Sequence, residues 1–195
     1  MSFMKNNLFL SCIVLCGLLI MVSCSKKLKQ SDSKFKKIDQ PFDEKKYYSD
    51  KKYYRSTGQG KALDLTVAKR IAETNARQAI ASQIEVKVKS VGEQFLQNRE
   101  ISNKLETTSK YEDITRTVIN ETLTQVKIIG QESYQNQKGS NGEYIHYVAM
   151  EMPTTAVADN LTKKISTDES LKQDFDLQKF RKIYEQELED FKNNN

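Results

Sequence analysis

The chain has one histidine in 195 residues, and its three cysteines, Cys12, Cys16 and Cys24, all fall near its amino end. Each shortage excludes a class of function. A metal centre draws on several imidazole, thiolate or carboxylate ligands, and His146, with no carboxylates clustered around it in sequence, does not supply such a set. Nucleophilic catalysis needs a nucleophile, a base and a group that orients the base, and that constellation is not assembled around His146. The histidine alternates with Tyr144 and Val148 on an expected strand and reads as a sheet-face residue. Adjacent acids such as Glu112-Asp113 and Glu189-Asp190 diverge by about a hundred degrees on a helix, so neither pair can act together on one substrate, whereas glycoside hydrolysis needs two carboxylates facing across a pocket. The expectation is a non-enzyme with no cofactor and no metal. With the cysteines confined to the first 24 residues, no disulfide can staple the rest of the chain, whose stability must come from ordinary packing.

What is present at that end is an address. Lys5 precedes the apolar run from Leu8 to Val22, and the small residue Ser23 stands before Cys24, which gives the n-region, h-region and cleavage site of a signal peptide. The run is too short to span a bilayer comfortably. Met21-Val22-Ser23-Cys24 resembles a bacterial lipobox, whose cysteine is diacylated on sulfur, cut free at its amino side and acylated again on the new amine. The resemblance implies removal of residues 1–23, taking Cys12 and Cys16 with them, and lipidation at Cys24. At ~0.8 kcal/mol per buried methylene, two or more acyl chains give stable membrane anchoring.

The net charge of +5 is mild and does not point to nucleic acid. Its distribution is uneven. Lys26, Lys27, Lys29, Lys34, Lys36 and Lys37 crowd the residues after the anchor, where each adds up to ~1 kcal/mol of attraction to an anionic lipid surface, while the last thirty residues are rich in Asp and Glu. Residues 24–52 lack periodicity and read as a disordered basic tether. Inside it, Lys45-Lys46-Tyr47-Tyr48-Ser49-Asp50 is followed by the near-repeat Lys51-Lys52-Tyr53-Tyr54-Arg55-Ser56. Such interleaving can hold an anionic or sugar ligand, or it can be amphipathic packing; the second tyrosine pair is expected to open the first strand.

Gly58-Gln59-Gly60 then reads as a flexible turn admitting positive φ. A helix is expected from Lys61 to Gln83, with Val67, Ala68, Ile71, Ala72, Asn75, Ala76, Ala79 and Ile80 on a stripe of mostly small side chains suited to close approach to a sheet. Ile84-Glu85-Val86-Lys87-Val88-Lys89 alternates apolar and charged residues and predicts a strand. Gly92 to Gln97 connect onward, and Asn98 to Gln125 predict a long helix whose Thr107, Thr108 and Ser109 can mark a break. Val126–Tyr134 and Glu143–Met152 predict a hairpin around a polar, glycine-bearing loop. After Pro153, Thr154 or Thr155 can cap a short helix carrying Val157, Leu161 and Ile165. A final helix over residues 167–191 places Leu177, Phe180, Tyr184, Leu188 and Phe191 on one stripe, with packing back onto the domain as the default and a partner seam as the other use.

The order of parts resembles the lipoprotein-20 family: a strand ending in Gly58-Gln59-Gly60, the helix from Ala68 through Asn75-Ala76-Arg77 to Ala81, a strand Ile84 to Lys89, a variable middle, and a closing strand Tyr144 to Met152. That family is named for the twenty-kilodalton outer-membrane lipoprotein of Helicobacter, and its domain is similar to those of flagellar proteins P and T. The chain departs from it in having no tryptophan before the first strand and in adding a C-terminal helix. The resemblance implies an α+β fold, a small antiparallel sheet with helices packed on one face, over residues 53–166; the amphipathic helix over 167–195 is expected from its own apolar stripe. Ser25 is not the aspartate that retains many lipoproteins at the inner membrane, which favours the outer membrane, facing the periplasm. The function implied is a non-catalytic envelope lipoprotein that binds or scaffolds envelope components, alone or as a homo-oligomer. A structural subunit of a flagellar or secretion-associated ring or disk is the alternative.

Overall fold

The computed structural model describes residues 38–97, 104–136, 142–174 and 176–193. The fold is α+β. Strand β1 (Tyr53–Ala62) leads into helix α1 (Leu65–Gln97), α2 (Lys104–Thr122) and a 3-10 turn, then β2 (Lys127–Gln135), β3 (Tyr144–Pro153), α3 (Thr154–Thr167), α4 (Glu169–Asp174) and α5 (Leu177–Asn193). The three strands form one antiparallel sheet in the order β1-β3-β2, with Gly58 opposite Val148 and Gly60 opposite His146. The compact unit begins at Asp39, so the later part of the stretch expected to be tether is ordered.

The glycines of Gly58-Gln59-Gly60 lie inside β1, and neither has positive φ. Their purpose is proximity. A Cβ at Gly58 would stand 2.1 Å from the Ala72 carbonyl oxygen, and one at Gly60 would stand 2.0 Å from that of Ala68. Glycine within a strand marks close approach of another backbone, and here the opposing helix also presents its smallest side chains, with Ala68, Ala72 and Ala76 fully buried. The expected stripe was drawn too wide: Val67 and Ile71 are exposed, and the buried row runs at four-residue spacing.

That row explains why α1 does not stop at Gln83. Ala68, Ala72, Ala76 and Ile80 continue as Ile84 and Val88, all fully buried. No glycine or proline interrupts the chain from Lys61 to Val91. The alternation of residues 84–89 is consistent with a strand, but Ile84 and Val88 are i, i+4 partners on one helix face, and Val86 is the one left 67% exposed. Four residues overshoot one helical turn by about 40°, so the buried row winds around α1 from the sheet toward the helices. There the buried Val91 and Phe95 take over, and the Phe95 ring packs edge-on against Phe180 of α5 at a centroid distance of 6.2 Å.

Gly92, expected in a connector, is helical and lies beneath a ring: a Cβ there would be 2.2 Å from Cε1 of Tyr111. The buried Tyr111 hydroxyl donates to the Val88 carbonyl at 2.9 Å, which ties α2 to α1. In α2, Thr107, Thr108 and Ser109 cause no break. Thr108 donates to the Lys104 carbonyl at 2.8 Å and Thr117 to that of Asp113 at 3.0 Å, so these hydroxyls bond within the helix. The buried face is Thr107, Tyr111, Thr115, Val118, Ile119 and Thr122, whereas Leu105, expected on it, is 84% exposed. Ile101, expected beside it, lies outside the described residues.

The final helix is two helices, because aspartates cap each. Asp168 Oδ1 accepts from Leu171 N–H at 2.9 Å, and Asp176 Oδ1 accepts from Gln178 and Lys179 N–H at 3.1 and 3.0 Å. The short helix α3 starts without a side-chain cap; Pro153 holds the N-cap position and the Thr154 hydroxyl donates instead to the Lys51 carbonyl at 2.6 Å. The α5 stripe packs back as expected, with Phe180, Tyr184 and Leu188 buried. Tyr184 donates to the Thr154 carbonyl at 3.2 Å, so Tyr54 of β1 is the donor in the 2.8 Å contact between the two hydroxyls. Burial pushes both phenols well above their ordinary range.

Two stability predictions follow from these contacts, both read from urea denaturation. Gly58→Ala sets a methyl against helix backbone and costs at least the ~1–3 kcal/mol of ordinary overpacking, while Gly130→Ala, whose nearest neighbours are atoms of the Phe42 ring, costs less; equal midpoints would contradict the contact. Tyr184→Phe leaves the Tyr54 hydroxyl buried without an acceptor and costs ~1–3 kcal/mol. Tyr54→Phe leaves Tyr184 its bond to Thr154 and costs less, so a reversed order would refute the donor assignment.

Candidate functional site

Cys24, the expected lipidation site, lies outside the described residues, as do Cys12 and Cys16. The tandem Lys-Tyr segment is described and divides its labour. In the first copy, Tyr47 meets Phe42 edge-on with ring centroids 5.0 Å apart, and Lys46 sits 4.9 Å from the Tyr47 ring. In the second, Tyr54 enters the core and Tyr53, on the opposite face of β1, carries the Arg55 guanidinium 4.9 Å from its ring. Asp50 joins the copies by accepting from the N–H groups of Lys52 and Tyr53 at 2.7 and 2.9 Å.

Between the copies lies a concavity of about 330 Å³ lined by Phe42, Tyr47, Tyr48, Ser49, Arg55 and neighbouring residues. Arg55 donates from Nε to Glu151 at 3.0 Å, and from Nη1 to Asp50 at 2.7 Å and to the Tyr48 carbonyl at 3.0 Å. Burial disfavours the Asp50 carboxylate, but Arg55 and the two backbone N–H groups outweigh it and hold its pKa below the usual range. Two carboxylates on one guanidinium leave no net positive charge, so this notch is not an anion cradle. Phe42 holds φ of 66°, an uncommon backbone for a bulky residue, and its ring lies over Gly130 of β2, where a Cβ would be 2.7 Å from Cε1.

A larger concavity, about 610 Å³, separates the distal half of α1 from α2. Its floor is Gly92, Leu96, Tyr111, Thr115 and Ile119, all buried, and its rim carries Glu85, Glu93 and Glu112 beside Lys89 and Arg116. The volume suits a small ligand. The rim of mixed sign selects for neither charge.

His146 is where the sequence placed it, on β3, and it is 1% exposed against α1. Its cross-strand neighbour brings a hydroxyl that sequence reasoning missed: Ser133, directly opposite in register, lies 2.8 Å from Nδ1. Strand register is the signal that pairs them. The third member of a catalytic set is not in place, because Nε2 is buried with no hydrogen-bond partner and nothing fixes the ring's tautomer. Burial lowers the imidazole pKa, Lys69 lowers it further, and Glu73 opposes both. Among the described residues no three His, Cys, Asp or Glu side chains are grouped to hold a metal ion, and no helix is long and apolar enough to cross a membrane.

No family model matches the chain, and neither a curated protein nor a solved structure matches it.

The histidine makes stability depend on pH. With its folded value below the free value of ~6.5, the unfolded chain takes up the proton first on acidification, so stability is full above about pH 6.5 and declines below it. His146→Gln should flatten the fall in urea midpoint between pH 7.5 and 5.5. Parallel curves for the two proteins would contradict the assignment, which is clean because the chain has one histidine.

Proposed function

We propose that the protein is a non-catalytic bacterial envelope lipoprotein of the lipoprotein-20 type, held at the outer membrane by lipid on Cys24 and binding or scaffolding other envelope components. The observation that carries this reading is Met21-Val22-Ser23-Cys24 at the end of an apolar run, followed by six lysines before residue 38. The thioether-linked and amide-linked chains supply the attachment, and the lysines lie where an anionic surface would reinforce it. In sequence, a basic stretch lies between Cys24 and the compact unit that begins at Asp39.

Two features of the compact unit support a binding role over a catalytic one. The Ser133 and His146 pair has no orienting partner at Nε2. Arg55 is neutralised by Asp50 and Glu151. What the unit offers instead is surface: an apolar-floored groove between α1 and α2, and a sheet with one strand uncovered.

Cys24→Ala should release the protein from the outer-membrane fraction or leave the unprocessed precursor, read by fractionation and intact mass. Unchanged size and unchanged outer-membrane recovery would overturn the proposal. Crosslinking and recovery from the same membranes would identify the components it contacts.

A further inference from the structure

The two edges of the sheet are treated differently. An edge strand exposes a row of backbone N–H and C=O groups that can pair with another chain. On β1 the outward row is plugged by side chains. Asp50 Oδ1 accepts from Tyr53 N–H at 2.9 Å, Ser49 Oγ accepts from Arg55 N–H at 2.7 Å, Gln83 Nε2 donates to the Arg55 carbonyl at 3.0 Å, and Asn75 Nδ2 donates to the Gln59 carbonyl at 2.8 Å. On β2 nothing of the kind occurs. Antiparallel alternation turns the backbone groups of Gly130, Glu132 and Tyr134 toward their β3 partners and those of Gln131, Ser133 and Gln135 outward. No group among the described residues bonds to that outward row. The strand has no proline, every residue but Gly130 is exposed, and Ile128, Ile129 and Tyr134 add apolar surface.

The geometry points to a second copy of this chain as the occupant of the β2 edge, with two β2 strands pairing antiparallel about a two-fold axis at Ser133 to make one continuous sheet. Head-to-tail pairing of β2 with β1 would build open filaments or rings, and the plugged β1 edge blocks it. An isologous pair is what remains for the sheet edges, and it needs opposing strands to be self-complementary. Centring on Ser133 places Gln131 opposite Gln135 of the second copy and Glu132 opposite Tyr134, residues that already bond to each other within one chain. Centring on Glu132 would set two carboxylates face to face, which is destabilising. Centring on Gln131 would set Glu132 opposite Gly130, where the Phe42 ring lies. Charge pattern and packing therefore disfavour both of those registers, and the Ser133-centred one pairs each Glu132 with a tyrosine hydroxyl. This inference goes beyond the anchor and does not depend on it, because every residue it uses belongs to the compact unit.

The test is disulfide trapping in the full-length protein, in whichever cell fraction contains it, with the unsubstituted chain and its native cysteines as baseline. In the Ser133-centred pair the two residues at 133 face each other at a Cα separation of about 5.5 Å, within disulfide range. Ser133→Cys should give at least tenfold more crosslinked dimer than baseline. Gln131→Cys, offset from its own mate by four residues, and Thr57→Cys on β1 should stay at baseline. As a second reading that needs no thiol, Gln131→Pro removes an outward N–H without touching the ladder to β3, and should lower the dimer fraction seen by native mass spectrometry at least tenfold while the monomer keeps the far-ultraviolet circular dichroism of the unsubstituted chain. Ser133→Cys at baseline, Gln131→Cys crosslinking as well as Ser133→Cys, or a dimer fraction indifferent to Gln131→Pro would each overturn the proposal.

Discussion

The backbone of α1 rests on the backbone of β1, and the rest of the molecule is arranged around that contact. Two glycines in the strand and three alanines in the helix leave nothing larger than a methyl group between the two elements. Their closeness lets Asn75 and Gln83 reach over to the outer edge of β1 and bond its carbonyls. It also fixes the line along which the distal half of α1 leaves the sheet to meet α2 and α5. The position of Tyr54, and through it Tyr184 and Thr154, depends on the same strand being held.

One helix covers two strands, and the consequences fall on the third. Helix α1 packs on β1 and β3, so β2 receives cover from no helix and presents both faces and its outer edge. Phe42 shields one spot over Gly130. An uncovered strand edge is suited to joining other molecules, and the proposed lipid at residue 24 would bring the chain that carries it to a membrane.

Much of this fold was legible because its signals are local. The hairpin around the glycine-bearing loop, the first strand at the second tyrosine pair, and the α5 stripe of Phe180, Tyr184 and Leu188 all lie where pattern placed them. The errors came where two periods fit the same letters. Residues 84–89 satisfy a strand's alternation and a helix's four-residue row at once, and only the row running back to Ala68 decides between them. Gly58 and Gly60 read as a turn from their own residues and as a strand's end only through the family resemblance, since their reason is a helix carbonyl that lies elsewhere in the sequence. The pairing of Ser133 with His146 depends on hairpin register and has no signature in either segment alone. Cys24 stands on sequence alone.

The direct measurement of the central contact is native-state hydrogen exchange on the full-length protein. If the glycine and alanine contact is the keystone, the amides of α1 from Ala72 to Ile80 and the inward amides of Gly58 and Gly60 exchange last, through global unfolding. Exchange of those amides ahead of the α1 residues beyond Ile84, which pack on helices instead of the sheet, would contradict the account.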